Sequence, residues 1–110
     1  MKFKIIPLLV LSFCSSLYAA SYSGTVEMIQ SGPNYNGVVF VKVDGTVQNK
    51  PTCSNNSTWD FAFDGNSDSG KTMLSLLLSA HATGKNVGFY GKNACTHWDS
   101  VENLGYVNLK

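Results

Sequence analysis

Hydrophobic and polar positions alternate in several short stretches of the chain and switch once to a helical period. Residues 24–30, Gly-Thr-Val-Glu-Met-Ile-Gln, alternate well enough to predict a first strand. Ser31-Gly32-Pro33-Asn34 is a dense turn signal. Residues 37–43 follow with a β-branched run, Val-Val-Phe-Val-Lys-Val, which predicts a second strand. Asp44-Gly45 reads as a hairpin turn that leads Thr46, Val47 and Gln48 into another strand. A polar loop carrying Cys53 spans residues 49–58. Residues 59–64 alternate most cleanly, with Trp59, Phe61 and Phe63 on one face and Asp60 and Asp64 on the other.

One helix is predicted next. Ser67, Asp68 or Ser69 is a suitable cap for its start, and Gly84 for its end. At 100° per residue, Met73, Leu74, Leu76, Leu77, Leu78 and Ala80 cover an arc of roughly 200°. A helix resting on one sheet needs about half of that arc. The surplus predicts a second apolar contact, within the fold or with another subunit, for which Met73, Leu77 and His81 are the candidates. Residues 86–90 and 103–109 supply the last two strands, around a loop holding Cys95 and Trp98. Short strands with a single late helix predict a mainly β fold, a small antiparallel barrel of the OB type. An open α+β sheet with one covering helix is the alternative.

The beginning of the chain changes the composition that matters. Lys2 and Lys4 precede an apolar run from Ile5 to Leu11, and small residues follow at Ala19 and Ala20. A basic start, a short apolar core and a small-residue exit mark a secretory signal peptide, here residues 1–19, with one domain over residues 20–110. The apolar run is too short to span a bilayer, so no transmembrane segment is expected in the mature chain. The eight lysines lose Lys2 and Lys4, leaving six against seven acids, and there is no arginine. A near-neutral chain without arginine is a poor nucleic-acid binder. Cys14 falls in the leader, so Cys53 and Cys95 remain, an even pair that reads as one disulfide in an exported domain. Closing that loop is worth roughly 4 kcal/mol in the chain-entropy description.

Few motifs carry chemistry. Residues 65–72, Gly-Asn-Ser-Asp-Ser-Gly-Lys-Thr, match the phosphate-loop pattern between a strand and a helix. The domain is too short for the parallel sheet that normally carries that loop, so the match reads as a polar turn into a helix cap. His81 lies on the apolar side of the helix and reads as a hydrogen-bonded core or interface residue. Asp60 and Asp64 share a strand face and read as a solvated edge. No metal-ligand spacing, nucleophile elbow or cofactor motif is present, and no catalytic role is expected. The loops are richer. Asn34, Tyr35, Asn36, Tyr90, His97 and Trp98, with Asn93 and Asp99, combine aromatic rings that stack on sugar faces with side chains that hydrogen-bond to hydroxyls.

Several stretches resemble the B subunits of bacterial AB5 toxins, in particular the subtilase-cytotoxin type. They are Asn36-Gly37-Val38-Val39, Asn49-Lys50-Pro51-Thr52-Cys53, Asn56-Ser57-Thr58-Trp59 and Ala82-Thr83-Gly84-Lys85-Asn86-Val87, in that order. The resemblance covers most of residues 35–90. It implies an OB-type barrel assembled as a ring, usually a pentamer, that binds cell-surface glycan and delivers a separate catalytic toxin subunit. It also implies that Asn36 occupies a position contacting sialic acid and that Tyr90 is the first of two tyrosines. The second of those positions is Gly91 here, and the missing arginine removes the strongest carboxylate partner. The expectation is therefore a secreted or periplasmic bacterial protein, non-catalytic, that binds glycan through its loops as a homo-oligomer. The alternative is a monomeric periplasmic or secreted accessory protein or inhibitor that binds a protein partner.

Overall fold

The computed structural model describes residues 19–110, so the leader expected over residues 1–19 lies almost wholly outside the described residues. The chain forms β1 (Ser21–Gly24), β2 (Val26–Gln30), a short 3-10 turn (Pro33–Tyr35), β3 (Val38–Val43), β4 (Phe61–Asp64), the helix α1 (Asp68–Thr83), β5 (Val87–Gly91) and β6 (Glu102–Leu109). The fold is mainly β, a curled six-stranded sheet with one helix, in the order β1-β5-β6-β4-β3-β2. All neighbours run antiparallel except β4 and β6, which run parallel. The expected first strand is split at Thr25. Gly24 pairs with Val87 of β5, whereas Val26 pairs with Val43 of β3. One bend therefore places consecutive residues at the two edges of the sheet order, and the sheet curls to accommodate both.

Asp44-Gly45 does not begin a hairpin. Beyond it only Gln48 pairs, in an isolated bridge to Ser21. Asp44 instead serves the bend: its Oδ1 accepts the Tyr22 hydroxyl at 2.8 Å and the Thr25 amide at 3.2 Å. The helix follows its local signals closely. The Ser67 Oγ accepts the Gly70 amide at 3.0 Å, and Gly84 ends the helix at φ 66°, where an L side chain would be strained.

The main core lies between the helix and one sheet face. Val39, Val41, Phe61, Phe63, Leu77, Ala80, Val87 and Phe89 are buried there, and Phe61 stacks on Phe89 at 5.8 Å. Alternation sends Phe40 and Ala62 to the opposite face, where they pack with Val101, Tyr35, Val38 and Trp59. Trp59 therefore parts from Phe61 and Phe63, because strand geometry begins only at Phe61. Asp60 is not part of a solvated edge either. It is buried, and its carboxylate accepts the Val43 amide at 2.9 Å and the Lys50 ammonium at 2.8 Å. The expected disulfide is present, joining Cys53, before β4, to Cys95, between β5 and β6.

Candidate functional site

The aromatic and asparagine residues singled out in the loops fall into two places. At one corner, the turn carrying Asn34, Tyr35 and Asn36 meets the loop carrying His97 and Trp98. The Tyr35 and Trp98 rings lie 5.7 Å apart, edge to face. Both lean on Phe40, at 5.2 and 5.1 Å, and Trp59 closes the group at 5.6 Å from Phe40. Edge-to-face contacts at these separations match the quadrupoles of the rings. Asn34 and Asn36 are exposed beside Tyr35, and Trp98 keeps 36% of its surface in water. Tyr90 is elsewhere: it stacks on Tyr106 at 4.4 Å, across the β5–β6 ladder.

Local chemistry builds each half of the corner. Pro33 fixes the start of the 3-10 turn, and Asn36 ends it in the left-handed region at φ 53°, which asparagine tolerates. Asn66 then donates from its side chain to the Asn36 carbonyl at 3.1 Å, and Gln30 donates to the Tyr35 hydroxyl at 3.1 Å. The opposite loop is held more firmly. Asn103, buried on β6, accepts the Thr96 and His97 amides at 3.0 and 3.2 Å and donates to the Thr96 hydroxyl. Asn56 donates to the Ser100 hydroxyl, the Val101 amide bonds back to the Trp98 carbonyl, and Cys95 is tied to Cys53. Trp98 thus projects from a loop fixed before, within and after its own position. Such a ring contacts a ligand with little ordering cost.

Next to the corner is an open cleft of about 550 Å³. Ser69, Thr72 and Met73 of the helix line one wall, Leu104 to Val107 of β6 the other, and His97 and Lys92 stand at its rim. It offers hydroxyls, one imidazole, one ammonium, the Asp64 carboxylate and the Tyr106 ring. The phosphate-loop pattern borders this cleft but forms no anion cradle. Helical geometry begins at Asp68, so Ser69, Gly70 and Lys71 already belong to the helix, and Lys71 points to solvent. Gly70 serves packing, since a methyl group there would collide with the Asp64 carbonyl. Among the described residues no group of three or more His, Cys, Asp or Glu is placed to hold a metal. Among the same residues no helix is long and apolar enough to cross a membrane.

The helix candidates divide as well. Leu77 is sealed in the core of its own chain, and Met73 is half-buried against it. His81 is exposed on the helix, with its Nδ1 3.0 Å from the Val26 carbonyl. The apolar surface left outward by the over-wide arc belongs instead to Leu76 and Leu78, 39% and 52% exposed. Sequence reasoning missed Asn103, Asn56 and Ser100, which position Trp98. Their only early signal was a cluster of small polar residues near the cysteines. Compared with protein-family models, curated proteins and solved structures, the chain matches none.

Proposed function

We propose that the chain is an exported glycan-binding protein of the OB type, with the Tyr35–Trp98 corner as its binding surface and the adjoining cleft as an extension of it. The strand order supports the OB reading. If β1 and β2 count as one bent strand, five strands curl together, the helix falls between the third and fourth, and the third and fifth run parallel. In OB barrels the loops after the first strand and between the last two bind oligosaccharides or oligonucleotides. Those are the loops that carry Tyr35 and Trp98 here, and the 5.7 Å contact between the two rings is the observation that carries the proposal. The near-neutral charge and lack of arginine favour the sugar over the nucleic acid. Asn34, Asn36 and His97 supply hydroxyl partners around the rings.

Assembly belongs to the same proposal. Leu78 gives a homo-oligomer, with a pentameric ring as the arrangement the toxin B-subunit resemblance implies, an apolar contact on the helix. A separate catalytic subunit is the corresponding partner. A protein-binding accessory role is the second reading, favoured by Met28, which is 41% exposed on the edge strand β2 and so offers a partner chain an apolar edge. A glycan array probed with the exported protein, together with light scattering on the eluting species, tests the first reading. Retention on defined glycans by an oligomer is expected. A strict monomer that binds no glycan and captures a periplasmic protein would replace it with the second.

A further inference from the structure

Glu102 is the one fully buried acid whose hydrogen bonding is incomplete among the described residues. Its side chain is 0% exposed. Oε2 accepts the backbone amides of Asn93 at 2.9 Å and Ala20 at 3.2 Å, while Oε1 has no partner. Lys50 is the cation that acts on it through space, but the Lys50 ammonium is bonded to Asp60 at 2.8 Å. A buried carboxylate with a free oxygen and no partner charge is costly. The residue it reaches is also unusual. Ala20 is 1% exposed, and its carbonyl accepts the Gly91 amide at 2.8 Å, which extends β1 by one position along β5. Ala20 is also where the basic, apolar and small-residue leader pattern ends.

We propose that the Ala19–Ala20 peptide bond is the processing site of this chain, and that the α-ammonium released on Ala20 is the ion-pair partner of Glu102. A leader peptidase hydrolyses the bond. Water adds its hydroxyl to the Ala19 carbonyl carbon, the C–N bond breaks, and the Ala20 nitrogen takes the remaining proton. At neutral pH the new Ala19 acid gives up its proton and the amine gains one, so Ala20 ends as an ammonium. The amide had one N–H for Glu102. The ammonium has three and carries a positive charge, so it supplies both the donor and the charge that the carboxylate lacks. A cut one residue later would remove Ala20 with its buried methyl and its bond to Glu102. A cut one residue earlier would leave the neutral amide in place. Because Ala20 is inaccessible in the folded domain, cleavage precedes folding, and removal of the leader strengthens the fold that follows. The inference is independent of what the loops bind.

The test begins with the full 110-residue chain exported by a bacterial host. N-terminal sequencing and intact mass are expected to place the first residue at Ala20; retention of the leader or a start at any other residue overturns the proposal. Chains beginning at Ala20 with a free amine are then compared in urea with the same chains Nα-acetylated. The free amine is expected to raise the folding equilibrium constant about tenfold or more at pH 7. Equal stability of the two overturns the proposal. In a Glu102→Gln background the advantage is expected to vanish, and its survival would assign it to something other than this pair. Should Glu102→Gln not fold, the sequencing and the acetylation comparison decide the matter by themselves.

Discussion

Phe61 and Phe89 stack at 5.8 Å with both rings fully buried, whereas Phe40, on the other face of the same sheet, is buried beneath Tyr35, Trp59 and Trp98, whose rings run outward until Trp98 meets water. The first group is finished within the chain: its rings share one buried cluster with Leu77 and Ala80 of helix α1. No helix covers the second. Its outer members carry polar handles, the Tyr35 hydroxyl and the indole N–H, and stand beside exposed asparagines. Covered rings form closed core, whereas the loop-framed group is the surface proposed for recognition. Buried Asn103 and the disulfide fix the Trp98 loop, so that half of the open group holds its shape without a covering element.

The largest effect is expected at the covered face. Phe61→Ala should cost about 3–5 kcal/mol in urea unfolding, the usual range for emptying a buried aromatic site. A cost near that of a surface change would show that the stack does not organise the core. Replacing Cys53 and Cys95 together by serine comes next, at about 2–4 kcal/mol. Hydrogen exchange should then quicken around Trp98, whose loop loses one of its anchors. An unchanged exchange pattern would mean that Asn103 suffices alone.

The buried acid makes the stability of the whole fold depend on pH. Burial pushes the Glu102 carboxyl above the usual carboxylate range, against the hydrogen bonds from Asn93 and Ala20 and the field of Lys50, which act to lower it. The folded state then holds this proton more tightly than the unfolded chain. In a chain whose Ala20 nitrogen is blocked, stability is fully present below the ordinary carboxylate value and falls as pH rises through the raised one. Denaturation profiles across that window should show the loss, and Glu102→Gln should flatten it. The smallest effect is expected on the outer helix face. Leu78→Ser should change monomer stability by no more than about 0.5 kcal/mol, since its side chain is half in water. It should, however, reduce the assembled mass seen by light scattering, and an unchanged mass would remove Leu78 from the proposed contact.

Local signals in the sequence were enough for the helix and its caps, because Ser67 and Gly84 act within a few residues of themselves. They were enough for β3, and cysteine parity was enough for the disulfide. The split at Thr25 was hidden, since it depends on which strands lie on either side of the bend. Asp60 looked like an edge residue because its partners, the Val43 amide and Lys50, are distant in sequence. For the same reason nothing local separates Tyr90 from Tyr35 and Trp98: its stacking partner Tyr106 comes from the register of a neighbouring strand. Residue types located the polar and aromatic material of the corner, but only the tertiary fold brings Tyr35 to Trp98.

A single substitution at Trp98 removes that contact. Equilibrium titration of the wild-type protein and of Trp98→Ala with a glycan retained on the array should show at least about a tenfold loss of affinity in the variant, the scale of one lost aromatic contact. Trp98→Ala should remain folded by circular dichroism, with a lowered thermal midpoint because Phe40 loses part of its cover. Undiminished glycan affinity in a folded Trp98→Ala protein would contradict the assignment of this corner as the binding surface.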